Sequence, residues 1–386
     1  MRFPRLAAKT PPLLLISSSP SLLFLFSLSF FSSSSLAAPT LSPPIHPPPP
    51  PPPSSPLLSI STVLPRDTPS RSPSLLLNTD FPDPTIVHDP SSQKWYAFAT
   101  ASSNKNIQAA SAPSPSGPWT LFGSDVLPDT GAWTTGRNSW APDVRVIVPG
   151  SRYVMYYSGE IISSSKTYHC VGVAVASSIL GPYIPDTKPF ACPLARGGAI
   201  DPSGYFDRKS GERYVVYKVD GNAIGHGGYC GNGVAPYAST PIMLQRVDAS
   251  DGTTALGDPV EILDREQEAD GPLVEAPDLF RTENGTYVLL YSNQCWDSPG
   301  YTVSYATSDT VGGHYVKRGV LLGTGDWELT APGGATVADP DPAPDDGTET
   351  EGGWMVFHAN CPGGKGGRCM FGTAFRAAAG GVVAIG

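Results

Sequence analysis

The sequence predicts an all-β fold, a five-bladed β-propeller, from three observations. A short aromatic strand recurs five times at intervals of 58 to 73 residues. A turn signal precedes each copy, and no helical segment separates the copies. Repeat units of about 60 residues, each a meander of three or four strands, match propeller blades. A plain β-sandwich has no such period, and a parallel α/β sheet needs helices between its strands.

The recurring strand reads Trp95-Tyr-Ala-Phe-Ala-Thr100, Tyr153-Val-Met-Tyr-Tyr-Ser158, Tyr214-Val-Val-Tyr-Lys-Val219, Tyr287-Val-Leu-Leu-Tyr-Ser292 and Trp354-Met-Val-Phe-His-Ala359. Aromatic and β-branched side chains suit a pleated, half-buried surface. The turn signals are Pro90-Ser-Ser92, Pro149-Gly150, Ser210-Gly211, Asn284-Gly285 and Gly352-Gly353. Each copy is therefore expected to be the second strand of a hairpin. Third strands follow at Val171–Ala176 and Tyr301–Ala306. Three units then close alike, at Ser116-Gly-Pro-Trp119, Leu180-Gly-Pro-Tyr183 and Gly312-Gly-His-Tyr315.

Composition agrees. The chain of 386 residues has 43 Pro and 41 Gly but only 15% charged residues, which excludes coiled coils and long amphipathic helices. The net charge of −9, with no Lys/Arg cluster, leaves no basic face for nucleic acid.

Outside the repeat, residues 1–37 have the order of a secretory signal. Arg2, Arg5 and Lys9 precede an apolar stretch from Leu13 to Phe31, and small residues follow at Ser35, Ala37 and Ala38. Residues 38–77 are expected to be a Pro- and Ser-rich spacer. Fourteen Pro lie between residues 39 and 73, with an unbroken run from Pro47 to Pro53 that holds polyproline II. The propeller is expected to occupy 78–386. The mature protein is expected to be secreted, monomeric and free of any membrane partner.

All six Cys (170, 192, 230, 295, 361 and 369) follow the spacer. An even count behind a signal points to disulfides, with 15 connectivities open. Proximity in the chain favours Cys170 with Cys192 and Cys361 with Cys369, leaving Cys230 with Cys295. Asn284-Gly-Thr286 is an N-glycosylation sequon in an expected turn.

The first strand of each unit carries the chemistry. Its proline gives the alignment Asp83-Pro84, Ala141-Pro142, Asp201-Pro202, Ala276-Pro277 and Ala331-Pro332; the wait for the fifth aromatic strand is lengthened by the acidic insert Asp339 to Glu351. Proline holds the residue before it in extended backbone and cannot donate a ladder bond. It suits an inner edge strand lining a central channel. Acids beside these prolines, namely Asp83, Asp201 and Glu275, are expected to meet at one mouth of that channel. Paired carboxylates across a cleft are what glycosidic-bond hydrolysis needs. Glu275 lies two residues before its proline while the two Asp lie one before, which strand alternation would place on opposite faces.

These stretches, Asp80-Phe-Pro-Asp-Pro-Thr-Ile-Val87, Trp140-Ala-Pro-Asp-Val144, Ala199-Ile-Asp-Pro-Ser203 and Glu275-Ala-Pro-Asp-Leu279, resemble glycoside hydrolase family 43. The resemblance covers about residues 78 to 376. It implies a five-bladed propeller that cleaves arabinose- or xylose-containing plant polysaccharides such as arabinan and arabinoxylan, with inversion. It implies Asp83 as general base, Glu275 as general acid and Asp201 as the residue that raises the acid's pKa and orients it. Asp143, which follows its proline, is assigned a structural hydrogen-bonding role. Trp140 reads either as a wall for a pentose ring or as a core aromatic. Lys218 and Asn222 are candidates to line the pocket, and Arg368 resembles a late family arginine near the substrate.

No cofactor or metal is assigned. Many family members carry Gly-His-Gly at the start of the fifth blade, whose His helps to hold a central metal ion; here the stretch is Ala331-Pro-Gly-Gly-Ala-Thr336. His358 is read as structural, and the remaining His lack metal-ligand spacing. The alternatives are an endo-acting 1,5-α-L-arabinanase, a non-catalytic carbohydrate-binding propeller, and a retaining sucrose- or fructan-acting propeller.

Overall fold

A computed structural model describes residues 72–385 except 103, 164–165, 339–351 and 379–381. The leader, the spacer up to residue 71 and the acidic insert lie outside the described residues. The regular structure of the remainder is almost entirely strand. Strand β1, Ser74–Leu77, comes first. The first blade is β2 (Thr85–Asp89), β3 (Lys94–Ala99), β4 (Gln108–Ala112) and β5 (Thr120–Leu121). The second is β6 (Trp140–Val148), β7 (Arg152–Ser163), β8 (Lys166–Ala176) and β9 (Ile184–Pro185). The third is β10 (Ala199–Asp207), β11 (Glu212–Val219), β12 (Ile242–Val247) and β13 (Val260–Leu263). The fourth is β14 (Val274–Arg281), β15 (Tyr287–Asn293), β16 (Thr302–Ser308) and β17 (Val316–Leu322). The fifth is β18 (Gly333–Val337), β19 (Gly352–Asn360), β20 (Arg368–Ala378) and β21 (Val382–Ile385).

Each aromatic repeat is the second strand of its sheet, as its turn signal requires. The fifth sheet is closed by the front of the chain: Ser74 pairs with Gly372 and Leu75 with Phe371, so β1 lies beside β20. The expected spacer boundary at residue 77 is thus too late, because the ring is closed by a strand taken from the spacer's end. Adjacent blades pack face to face through buried aromatics. Phe98, Met155 and Tyr157 fill the gap between the first and second blades, and Tyr205, Val216, Leu289 and Tyr291 that between the third and fourth. Each such side chain contributes about 1.5–3 kcal/mol through burial. The disulfides are Cys170–Cys192, Cys230–Cys295 and Cys361–Cys369, the pairing that proximity favoured. Among the described residues no helix is long and apolar enough to cross a membrane.

The inner strands differ from expectation at their entry. The residue before the proline is not extended. It is left-handed, with φ of +53° at Asp83, +42° at Ala141, +54° at Asp201 and +49° at Ala276. The pairing register slips at this point, between Trp140 and Asp143, Ile200 and Ser203, and Glu275 and Asp278. Each slip is a bulge in which the left-handed residue and its proline loop out of the ladder. In the fifth blade the slip falls between Gly333 and Thr336. Gly334, at φ +59°, therefore occupies this station, with Ala335 in the place of proline. Ala331-Pro332 lies three residues too early. Glycine adopts the left-handed backbone without strain, so this blade needs no proline to hold its bulge.

Candidate active site

The bulges resolve the mismatch between Glu275 and the two Asp. A left-handed residue resets the alternation of the strand, so the last paired residue and the bulged residue can both serve the channel mouth. In blade four the acid is the paired residue, Glu275; in blades one and three it is the bulged residue, Asp83 and Asp201. The three converge: Asp201 feels the charges of both Glu275 and Asp83. Asp83 and Asp201 also line a cavity of about 30 Å³ at the channel floor, together with Pro84, Pro142, Pro202 and Pro277. That volume holds one or two waters.

A left-handed non-glycine residue costs about 1–3 kcal/mol and needs support. The support is regular. The bulged residue of each blade gives its N–H to a side chain from the blade before. Ala141 donates to Thr100 Oγ1 (2.9 Å), Asp201 to Ser158 Oγ (3.0 Å), Gly334 to Ser292 Oγ (2.9 Å) and Asp83 to His358 Nδ1 (3.1 Å). These acceptors occupy one register position, on or just after the second strand of their blades. The fifth member of the series is Lys218, opposite Ile200. An ammonium cannot accept a hydrogen bond. The Ala276 N–H turns instead to Asp201 Oδ2 at 3.0 Å.

Lys218 does something else. Its side chain is fully buried, with Nζ 3.0 Å from Glu275 Oε2 and 3.1 Å from Asp220 Oδ1. Burial alone would lower its pKa, but Glu275, Asp220 and Asp201 outweigh this and raise it, so it is a cation. The other Glu275 oxygen accepts from the buried Tyr301 hydroxyl at 2.8 Å. Both oxygens of Glu275 are thus held by buried groups. Lys218 is absent from the lining of this cavity and touches the acid Glu275 instead.

The three carboxyls sit in different electrostatic surroundings. Burial works to raise the pKa of Asp83, but the Arg368 guanidinium, 3.1 Å from Oδ1, and the Thr100 hydroxyl, 2.7 Å from Oδ2, bring it below the ordinary value. Asp201 is pushed well above its ordinary value, first by burial and then by the Glu275 carboxylate. His358 is driven down to about 3 by burial and by Arg368. It is therefore neutral, as an Nδ1 that accepts the Asp83 N–H must be.

Trp140 stands at the register position of Glu275 in its own blade. It is partly exposed and stacks on His169, with ring centroids 3.5 Å apart. Asn222 lies in a 3-10 turn, Gly221–Ile224, after β11, and its buried Oδ1 has no hydrogen-bond partner among the described residues. Asp143 is buried at the channel floor, accepting from Thr85, Arg145 and the Gly204 N–H. Asp278 does the same with Ser203, Arg145 and the Val337 N–H. These two acids tie all five inner strands together.

The fifth-blade metal position does not fit this chain. A Cβ at Gly333 would lie 1.9 Å from the Tyr301 ring, and one at Gly334 would lie 2.8 Å from His358 Nδ1. The space that a channel histidine would need is taken. The one metal-like cluster among the described residues, Cys230, Cys295 and Asp297, contains two sulfurs already joined as cystine.

Thr100, Tyr301 and Trp296 were not singled out from sequence. Tyr301 reads there only as the start of a strand. Thr100 ends an aromatic repeat, and its partners Lys218 and His358 are hidden because alignment on the first aromatic sets Val219 and Ala359 opposite it. Pairing with the inner strand corrects that offset by one residue.

A family model described as "Glycosyl hydrolases family 43" matches residues 73–378. A "Probable arabinan endo-1,5-alpha-L-arabinosidase A" of Aspergillus fumigatus is 35% identical over 99 residues, covering 25% of this chain and 28% of the relative. Its namesake from Emericella nidulans is 41% identical over 99 residues with the same coverage. The aligned stretch thus spans little more than a quarter of these curated relatives. Among solved structures, a thermostable family-43 glycoside hydrolase superposes with a TM-score of 0.63 at 24% identity, over 79% of this chain and 92% of its own. An endo-arabinase from Bacteroides thetaiotaomicron gives 0.56 at 19%, over 82% and 97%. At these identities the structures speak for the fold.

Proposed function

Because the chain belongs to glycosyl hydrolases family 43, we propose that it hydrolyses O-glycosidic bonds in arabinan- or arabinoxylan-type polysaccharides, with inversion at the anomeric carbon. The observation that carries this reading is the convergence of three inner-strand carboxyls in unlike surroundings. Unlike environments are what separate a base from an acid. Asp83, held ionised by Arg368 and Thr100, takes a proton from the attacking water. Burial and the Glu275 carboxylate push the Asp201 carboxyl well above its ordinary value, so Asp201 holds a proton beside Glu275. Glu275 delivers a proton to the leaving oxygen, with the carboxyl of Asp201 beside it. Lys218 and Tyr301 fix the direction of Glu275, while Trp140 offers its partly exposed face to the sugar ring. Arg368 lies beside Asp83 at the rim, where sugar hydroxyls would meet it. No step requires a metal.

The reading includes secretion, supported by the leader-like residues 1–37 and the three disulfides, and a glycan at Asn284, which is exposed in its turn. A second reading, endo action on linear arabinan, is favoured by the names of the fungal relatives.

The test is hydrolysis of aryl arabinofuranoside, aryl xyloside, linear arabinan and arabinoxylan by the purified protein, with proton NMR of the first-formed sugar. Release of pentose with inverted configuration supports the proposal. Retention would make one carboxylate a nucleophile, and inertness on all four substrates would leave a binding propeller.

A further inference from the structure

Two half-exposed aromatics flank the Cys230–Cys295 disulfide. Tyr229 precedes one half-cystine and Trp296 follows the other, 52% and 49% exposed. The bridge joins the loop after β11 in blade three to the loop after β15 in blade four. The bridged Cα atoms are 5.6 Å apart. Each ring's Cα is one residue away, so the two Cα atoms lie within about 13 Å of each other. Trp296 is also tied to the candidate site. The Arg368 guanidinium that holds Asp83 lies over the Trp296 ring, 4.9 Å from its centroid.

Large aromatics exposed on bridged loops beside a polar site offer apolar faces for a ligand to cover. The C–H face of a sugar packs on an aromatic ring, and its hydroxyls stay free to bond at the edges. Tyr and Trp combine such a face with a polar tip. We propose that Tyr229 and Trp296 form a shelf, stapled by the disulfide, that binds sugar rings of a pentose polymer beyond the one being cleaved. This deepens the glycosidase reading and rests on it. The disulfide holds the shelf in place before the glycan arrives, which reduces the ordering cost of binding. The shelf would favour long substrates over short ones.

The experiment compares the wild-type protein with Trp296→Ala, Trp296→Phe and Tyr229→Ala on linear 1,5-α-arabino-oligosaccharides of two to six units, the matching xylo-oligosaccharides, and an aryl arabinofuranoside. Each alanine variant should lower kcat/KM on a hexamer by about tenfold, mainly through KM. The loss should shrink as the chain shortens, and Trp296→Phe should recover most of it. Equal losses at every length would mean that Trp296 only packs against Arg368, and no loss on either hexamer would also overturn the shelf. Tyr229→Ala provides the same readout should Trp296→Ala fold poorly. If the wild type cleaves none of these substrates, the glycosidase reading fails by itself. Hexamer binding, followed by tryptophan fluorescence, then decides the shelf. Saturable quenching weakened in Tyr229→Ala supports it, and absence of quenching sinks it.

Discussion

Blade three and its four neighbours solve the same backbone problem with different chemistry. In blades one, two, four and five, the second strand presents an acceptor (Thr100, Ser158, Ser292 or His358) to the bulged N–H of the next blade. In blade three the same position is Lys218, a donor and a buried cation. The orphaned Ala276 N–H is then taken by Asp201, and the lysine is free to hold Glu275. One change at a repeated structural station thus orients two of the three carboxyls. Symmetry supplies the scaffold, and the site lies where symmetry is broken.

Four measurements would break or sharpen that contrast. The largest effect is expected at the carboxyls. Asp83→Ala should reduce kcat by about 10³-fold on every substrate, since no other group holds the water. Glu275→Ala should cost as much on polysaccharide but far less on aryl glycosides whose leaving groups need little protonation. Equal losses on both substrate types would remove Glu275 from the acid role.

Lys218→Met comes next. Taking one partner from a buried ionic cluster should cost about 3–5 kcal/mol of stability, read by urea unfolding. The sign of its pH effect is also defined. Lys218 opposes the rise of Asp201, so without it Asp201 should hold its proton to higher pH. The alkaline limb of the pH–rate profile should then move up. An unmoved limb would reduce the lysine to a packing element.

Asp201→Asn should move the same limb the other way. The amide oxygen can still accept the Ala276 N–H, but the group that retains the proton is gone, so activity should fade at lower pH. Opposite shifts in these two variants would be hard to explain by misfolding.

The smallest effect is expected at an ordinary station. Ser292→Ala removes the bond from Gly334 and a contact with the Tyr301 hydroxyl, and should cost about 1 kcal/mol. That corresponds to a fall of about 2–4 °C in Tm. Activity should change little, and a loss comparable to that of Lys218→Met would erase the distinction between blade three and the rest.

Much of this molecule was legible from its residues alone. The five aromatic strands announce a propeller because alternating apolar side chains and their turns are local properties, set by neighbours within one hairpin. The acids beside Pro84, Pro202 and Pro277 could be picked out for the same reason, by their position within a repeat. Whether Glu275 and the two Asp face the same mouth could not be read. Sequence alternation assumes an extended backbone, and the left-handed bulges at Asp83, Asp201 and Ala276 exist only because hydrogen-bond partners compensate their strain. Those partners come from the inner or second strand of the preceding blade, 41 residues away at Thr100 and Ala141, and 275 at Asp83 and His358. The closure by Ser74–Leu77 and the roles of Lys218, Tyr301 and Trp296 depend in the same way on contacts between segments remote in the chain. The sequence by itself determined the repeat, the class of chemistry and the carboxyls proposed to carry it. Only the tertiary structure decided which blade breaks the pattern and which residues hold each carboxyl, because an ion pair or a bulge is stabilised by distant partners rather than by sequence neighbours.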